Sequence, residues 1–184
     1  MRRRKGTIVD TLFTKTLYLR KFETSDVEQF VDAIRESAKS VGEWLAWWKA
    51  DYSEDEALSW FEACEKAIAA RSGFDIGVFH KDSDVLIGSI AINRIDTANQ
   101  IGSLGYWVRE SQQGNGYCSE AVDRIKSFGF DELALTRLEI VVLDQNIASR
   151  RVAEKCGAIL ECIAENRLVY RGQPAAAAVY SLLP

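Results

Sequence analysis

The chain is 184 residues long, 47% hydrophobic and 27% charged, with a net charge of −4 and a pI near 5.2. That length suits one domain with a buried core, and the composition excludes a disordered or fibrous chain. The acidic balance argues against a general nucleic-acid binder, which carries a basic excess on one face.

The opening Met1-Arg2-Arg3-Arg4-Lys5 is basic, but Asp10, Thr14 and Lys15 interrupt the apolar run behind it. Neither an export signal nor a membrane span is therefore expected, and residues 1–15 read as a solvated N-terminal arm on a single domain, 1–184. Residues 17–22 alternate like a first strand. Ser25-Asp26-Val27-Glu28 has capping-box spacing, and Phe30, Val31, Ile34 and Ala38 then fall on one helical face. Ser53-Glu54-Asp55-Glu56 repeats the signal ahead of the stripe Ala57, Phe61, Cys64 and Ile68. Between the two helices Trp44, Trp47 and Trp48 crowd into five residues, which suits core packing and a substrate pocket equally.

Residues 74–79 and 85–92 read as strands around a polar hairpin loop, and 104–108 as a fourth. His80, the single histidine, falls at a strand end, and any triad needing an imidazole would have to use it. Gln113-Gly114-Asn115-Gly116-Tyr117 then joins a strand to a helix over 119–133, with Ala121, Val122, Ile125 and Phe128 on one side. No lysine follows Gly116, which rules out a Walker loop, and Ser119 stands where a dinucleotide fingerprint needs its third glycine. What remains is a turn whose glycines let main-chain N–H groups approach an anion at a helix N-terminus, or a plain tight turn. Residues 137–143 form a branched-residue strand, 149–156 a short helix stopped by Gly157, and 159–167 and 177–183 two closing strands. Cys64, Cys118, Cys156 and Cys162 form no CxxC pair and have no histidine near them in sequence, so reduced thiols in a cytoplasmic protein are expected, with no metal.

Gly105-Tyr106-Trp107-Val108, Glu110-Ser111, Gln113-Gly114-Asn115-Gly116-Tyr117 and Glu120-Ala121 resemble the coenzyme A loop of the GNAT acyltransferases. The branch they resemble is the RimJ/RimL type, which acetylates ribosomal-protein N-termini. Asp144-Gln145-Asn146-Ile147-Ala148-Ser149 and Glu154-Lys155-Cys156-Gly157 are similar to the second motif of that branch. Arg20, Trp44, Trp47 and Val179-Tyr180-Ser181-Leu182-Leu183 fall where it has similar residues, so the resemblance runs from about Leu17 to the end. It implies an α/β fold with about seven strands in a mixed, mostly antiparallel sheet, splayed between the fourth and fifth strands and flanked by four helices.

The resemblance further implies acetyl-CoA wedged in that splay. Trp107 and Val108 would offer their strand edge to the pantetheine, and Gln113, Gly114, Asn115, Gly116, Tyr117 and Cys118 would surround the pyrophosphate. Asn146 would bind the pantetheine arm, and Ser149 would contact the thiol and protonate it as it leaves. Taken alone, Asn146 reads equally as a helix cap and Ser149 as a capping or surface hydroxyl. Trp44, Trp47 and the alanines at 175–178 would line the acceptor pocket.

Two positions depart from the family pattern: Leu168 and Ala176 stand where relatives carry carboxylates. A lysine amine costs about 4.6 kcal/mol to neutralise at pH 7 and an α-amine only about 1 kcal/mol, so an α-amine scarcely needs a strong base. Water could relay its proton to Glu110, Glu139 or Glu165, among which the sequence does not choose. The leading expectation is acetyl transfer to a protein N-terminal α-amine. Acetylation of a polyamine or aminoglycoside-like amine, and a non-catalytic acyl-CoA-binding module, stay open as alternatives, as does a homodimer.

Overall fold

The computed structural model describes residues 11–184; the basic stretch at 1–5 lies outside them. Strand β2, Leu17–Arg20, buries Leu17 and Leu19 completely and ends on Arg20. The Arg20 guanidinium grips Asp26 with both prongs, at 2.6 and 2.8 Å. Asp26 also accepts the Glu23 N–H at 2.8 Å. The capping expected of Ser25 and Glu28 therefore belongs to Glu23 and Asp26, because Asp26 is buried and paired and the chain enters through a 3-10 turn. Helix α1, Val27–Glu36, follows. Helix α2, Glu54–Ala69, starts at the expected box, with Ser53 Oγ accepting the Glu56 N–H and Glu56 accepting the Ser53 N–H. Its buried stripe is Ala57, Phe61, Cys64 and Ile68, as its spacing predicts.

The sheet has eight strands, one more than expected. The addition is the two-residue β1, Leu12–Phe13, which pairs antiparallel with β2 from within the stretch read as an arm. The others are β3 (Phe74–His80), β4 (Leu86–Asp96), β5 (Ile101–Val108), β6 (Arg137–Leu143), β7 (Ile159–Tyr170) and β8 (Gln173–Leu182). Their order is β1-β2-β3-β4-β5-β6-β8-β7. Helix α3, Tyr117–Asp131, and α4, Ile147–Lys155, each begin two residues earlier than expected, because Gly116 and Asn146 are their N-caps.

Two apolar clusters hold these layers. Phe30, Val31 and Ile34 of α1 and Phe61 of α2 pack with Phe79 and Leu86. Val122, Ile125 and Phe128 of α3 and Ala153 of α4 pack with Ile90, Leu104, Ile140 and Tyr180. The burial of such side chains, roughly 1.5–3 kcal/mol each, is what holds helices to sheet.

One pairing differs from the rest. β5 and β6 run parallel and touch only at Ile101↔Arg137, Gly102↔Leu138 and Ser103↔Glu139. Beyond these rungs, residues 104–108 and 140–143 diverge with no mutual pairing, while β4 and β8 keep their outer edges paired. These are the fourth and fifth strands of the expected count, and the expected splay lies between them.

Candidate active site

The ladder geometry decides which main-chain groups face the splay. Arg109 N–H donates to the Ile87 carbonyl at 2.9 Å, next to the Gly88↔Val108 pair. Antiparallel alternation then turns the polar groups of Gly105 and Trp107 toward β4 and those of Tyr106 and Val108 outward into the gap. The Trp107 indole is not in the gap at all: it meets Phe30 and Trp48 edge-on, at 5.9 and 5.3 Å between ring centroids. The Val108 carbonyl is taken by Gln113 Nε2 at 3.1 Å, which leaves its N–H facing outward. β4 lies hard against this edge, since a Cβ on Gly88 would stand 2.1 Å from the Trp107 carbonyl oxygen.

Past β5 the chain makes a 3-10 turn, Glu110–Gln112, and then the glycine loop. Gly114 and Gly116 both have positive φ, +81° and +82°, and a Cβ on Gly114 would meet nothing within 4 Å. A side chain at such φ costs about 1 kcal/mol, so glycine is the residue these turns require. Asn115 Nδ2 braces the loop from inside by donating to the Gln112 and Gln113 carbonyls, at 3.2 and 3.4 Å. Gln113 and Asn115 therefore shape the loop with their side chains. The donors that stay open are main-chain: among the described residues, no acceptor faces the N–H groups of Gly114, Asn115, Gly116, Tyr117, Cys118 or Ser119. Together with the dipole of the fifteen-residue α3, they form a surface for an anion.

The loop is anchored from the α1 side. Arg109 Nη2 meets Glu36 Oε2 at 2.5 Å, Ser111 N–H meets Glu36 Oε1 at 2.9 Å, and Glu110 N–H meets Ser37 Oγ at 2.9 Å. The Arg109 hydrogen bond pulls the Glu36 carboxyl down to about 2.

Across the splay, Asn146 caps α4 by accepting the Ser149 N–H at 3.0 Å. The capping alternative for its side-chain oxygen is thus realised. Ser149 Oγ donates to Tyr106 Oη at 3.3 Å, and Tyr106 Oη donates to the Ser149 carbonyl at 3.0 Å. This pair spans the gap from β5 to α4. Burial holds the Tyr106 phenol above the usual tyrosine range and the Cys118 thiol above the usual thiol range, so both keep their protons at neutral pH. Tyr106 has no role in the sequence reading, although strand alternation offers the signal: with Trp107 turned into the α1–α2 cluster, its neighbour points the other way.

Beside the open end of β6 lies a cavity of about 360 Å³, lined by Leu143, Asp144, Tyr170, Gln173, Ala175 and Ala176 among others. The alanine run is split: Ala175 and Ala176 face this space, whereas Ala177 and Ala178 are fully buried in the sheet. Trp44 reaches the same region by stacking on Tyr170, 6.1 Å between centroids and 18° apart. Trp47 leaves 48% of its surface exposed beside Trp48. Trp48 is the packed member of the trio, its Nε1–H donating to the Ile34 carbonyl at 3.0 Å. Of the three carboxylates offered as proton acceptors, Glu139 is held by Arg137 at 2.9 Å, Glu110 accepts from Ser40 at 2.8 Å, and Glu165 is exposed on β7.

Comparison with known proteins bears on the fold and the family. The family pattern described as Acetyltransferase (GNAT) domain matches residues 16–159. A Bacillus subtilis protein named as a ribosomal N-acetyltransferase, YdaF, is 28% identical over 170 residues, 90% of each chain. A Vibrio cholerae structure described as a ribosomal-protein-serine acetyltransferase is 35% identical, with a TM-score of 0.86 over 97% of this chain and all of that one. RimL, solved as a ribosomal L7/L12 α-N-protein acetyltransferase in complex with coenzyme A, shares the fold at 20% identity, with a TM-score of 0.87 over 95% of this chain and 98% of its own.

Proposed function

We propose, from the premise that this chain belongs to the GNAT acetyltransferase family and to its RimJ/RimL branch, that it acetylates the α-amine of a protein N-terminus. Acetyl transfer is the activity of the family, and acetyl-CoA supplies the thioester-bound acetyl group. The observation that carries the placement is the run of six N–H groups from Gly114 to Ser119 at the head of α3 that have no partner among the described residues. They form a donor set for a pyrophosphate. The outward N–H groups of Tyr106 and Val108 suit the amides of an extended pantetheine, which adds to the free edge of β5 as a strand would.

In this reading Ser149 and Tyr106 stand at the reacting end. Ser149 turns its hydroxyl from Tyr106 toward the departing sulfur and gives up a proton there, taking back through water the proton that the amine loses, while Tyr106, still bonded to the Ser149 carbonyl, keeps the first turn of α4 in place. The amine enters from the cavity beside Asp144 and Tyr170, with Trp44 and Trp47 flanking the approach. It loses its proton to water, since no carboxylate stands at 168 or 176. That arrangement suits an α-amine, largely neutralisable at pH 7, better than a lysine or polyamine nitrogen.

The test pairs two measurements. Thiol release from acetyl-CoA is followed with peptides bearing free N-termini, with polyamines and with aminoglycosides; turnover with the peptides is expected. Turnover with polyamines alone would overturn the acceptor assignment, and binding without release under any acceptor would make the protein an acyl-CoA-binding module. In parallel, Gly116→Glu, which puts a carboxylate and a strained φ where the phosphates would lie, should abolish CoA binding in titration calorimetry while the far-UV spectrum persists. Unchanged affinity would remove the loop from the site.

A further inference from the structure

The glycine loop is not the only part of the molecule facing the space where a pyrophosphate would lie. Lys155, the last residue of α4, runs its side chain toward α3, and its Nζ lies 4.0 Å from the point a Cβ would occupy on Gly116. That point is on the open side of the loop, the side with no other atom within 4 Å. Arg124 of α3 and Arg151 of α4, like Lys155, have no ion pair among the described residues, but only Lys155 comes within 4 Å of that point, and three other neighbouring cations are engaged elsewhere. Lys126 pairs with Asp123 at 3.1 Å, Arg150 with Asp144 at 2.5 Å, and Arg109 with Glu36 at 2.5 Å. Among the described residues Lys155 has no carboxylate within ion-pair distance.

An exposed, unpaired ammonium beside neutral N–H donors, in a protein of net charge −4, is electrostatically complementary to an anion seated between α3 and α4. We infer that Lys155 is a coenzyme-binding residue that closes the phosphate site from the α4 side, pairing with the pyrophosphate while the loop amides hold it from the α3 side. This rests on the loop reading given above and adds a charge to it. N–H dipoles orient a diphosphate but do not neutralise it, and an ammonium does. Because α4 also carries Ser149 in its first turn, a contact at its last residue fixes both ends of the helix relative to the ligand: phosphate at Lys155, sulfur at Ser149.

The pyrophosphate is distinguished from the 3′-phosphate by ligand choice. Calorimetric titration of the full chain with CoA and with dephospho-CoA, which keeps the diphosphate and lacks the 3′-phosphate, is compared for wild type, Lys155→Gln and Lys155→Arg. The expected result is a loss of roughly three- to tenfold in affinity for both ligands in Lys155→Gln, the size of a partly screened pair. The loss should shrink as salt is raised, and Lys155→Arg should restore most of the affinity. A loss for CoA with none for dephospho-CoA would assign Lys155 to the 3′-phosphate and overturn the inference, as would no loss for either. Gly116→Glu in the same series separates the two readings. If it abolishes binding while Lys155→Gln does nothing, the loop stands and Lys155 falls; if neither variant matters, the loop assignment has failed.

Discussion

Ser149 offers its proton to one partner, Tyr106, and the tyrosine directs its own to the Ser149 carbonyl, so two hydroxyls and one carbonyl close a small ring across the splay. Removing Ser149 Oγ leaves the tyrosine its acceptor, and the cap from Asn146 survives because it uses the Ser149 main chain. Ser149→Ala should therefore keep the fold and the acetyl-CoA affinity within about twofold and lower kcat by roughly a hundredfold, the range of a lost general acid. Stopped-flow thiol release beside calorimetric Kd checks this. A change in Kd alone would make the hydroxyl a ligand contact. At this scale the sequence showed Ser149, Asn146 and the glycines, because each stands in a local motif. It did not show Tyr106, Glu36, Arg109 or Lys155 in their places. Their meaning comes from through-space neighbours 39, 43 or 73 residues away in the chain, as in the Lys155–Gly116, Tyr106–Ser149 and Arg109–Glu36 contacts, and no short spacing encodes such pairs.

Among elements, the β4–β5 hairpin sets the edge on which the site is built. The close approach of the Trp107 carbonyl to Gly88 means that no other residue fits there without moving β5. Gly88→Ala should lower stability by about 1–3 kcal/mol through overpacking and raise the KM for acetyl-CoA at least severalfold, since residues 107 and 108 must shift. Denaturant titration and steady-state kinetics measure the two effects. A destabilised variant with unchanged KM would show that the edge does not set affinity. The length of this hairpin was hidden in the sequence. The strand read at 85–92 stops short of Asn93, Arg94 and Asp96, yet they continue β4 as exposed or half-exposed strand residues up to a turn held by Asp96 on the Ala98 and Asn99 N–H groups, at 2.9 and 3.0 Å. Both early helices were legible because their apolar stripes are long. Their entries were less so: Ser53 and Glu56 cap as their spacing says, while α1 is capped by a pairing that depends on Arg20 from the preceding strand.

For the whole molecule, acid stability follows from carboxylates held by arginines. Glu36, bonded by Arg109, and Glu161, bonded by Arg137, both have folded values near 2, below the ordinary 4.5. Between those values the unfolded chain binds more protons than the folded one, so stability is fully present above about pH 4.5 and is lost as pH falls toward 2. The melting temperature should rise a little from pH 7 to about 5, where the buried Asp75 carboxyl, pushed up to about 6, takes its proton, and then drop as the arginine-held carboxylates are protonated. In Glu36→Gln it should start lower and fall less steeply, because one of the linked carboxylates is gone. A Glu36→Gln acid limb parallel to wild type would show that this carboxylate is not linked to folding.

The three rungs between β5 and β6 have a mechanical meaning as well. A sheet so thinly stitched at its middle has a seam along that line, with β1 to β5 on one side and β6, β8 and β7 on the other. Few hydrogen bonds join the two panels at residues 101–103, and what holds them together is the apolar cluster under α3, which takes side chains from both. Anything seated between them adds rungs that the polypeptide itself omits, and the guest becomes part of the fabric.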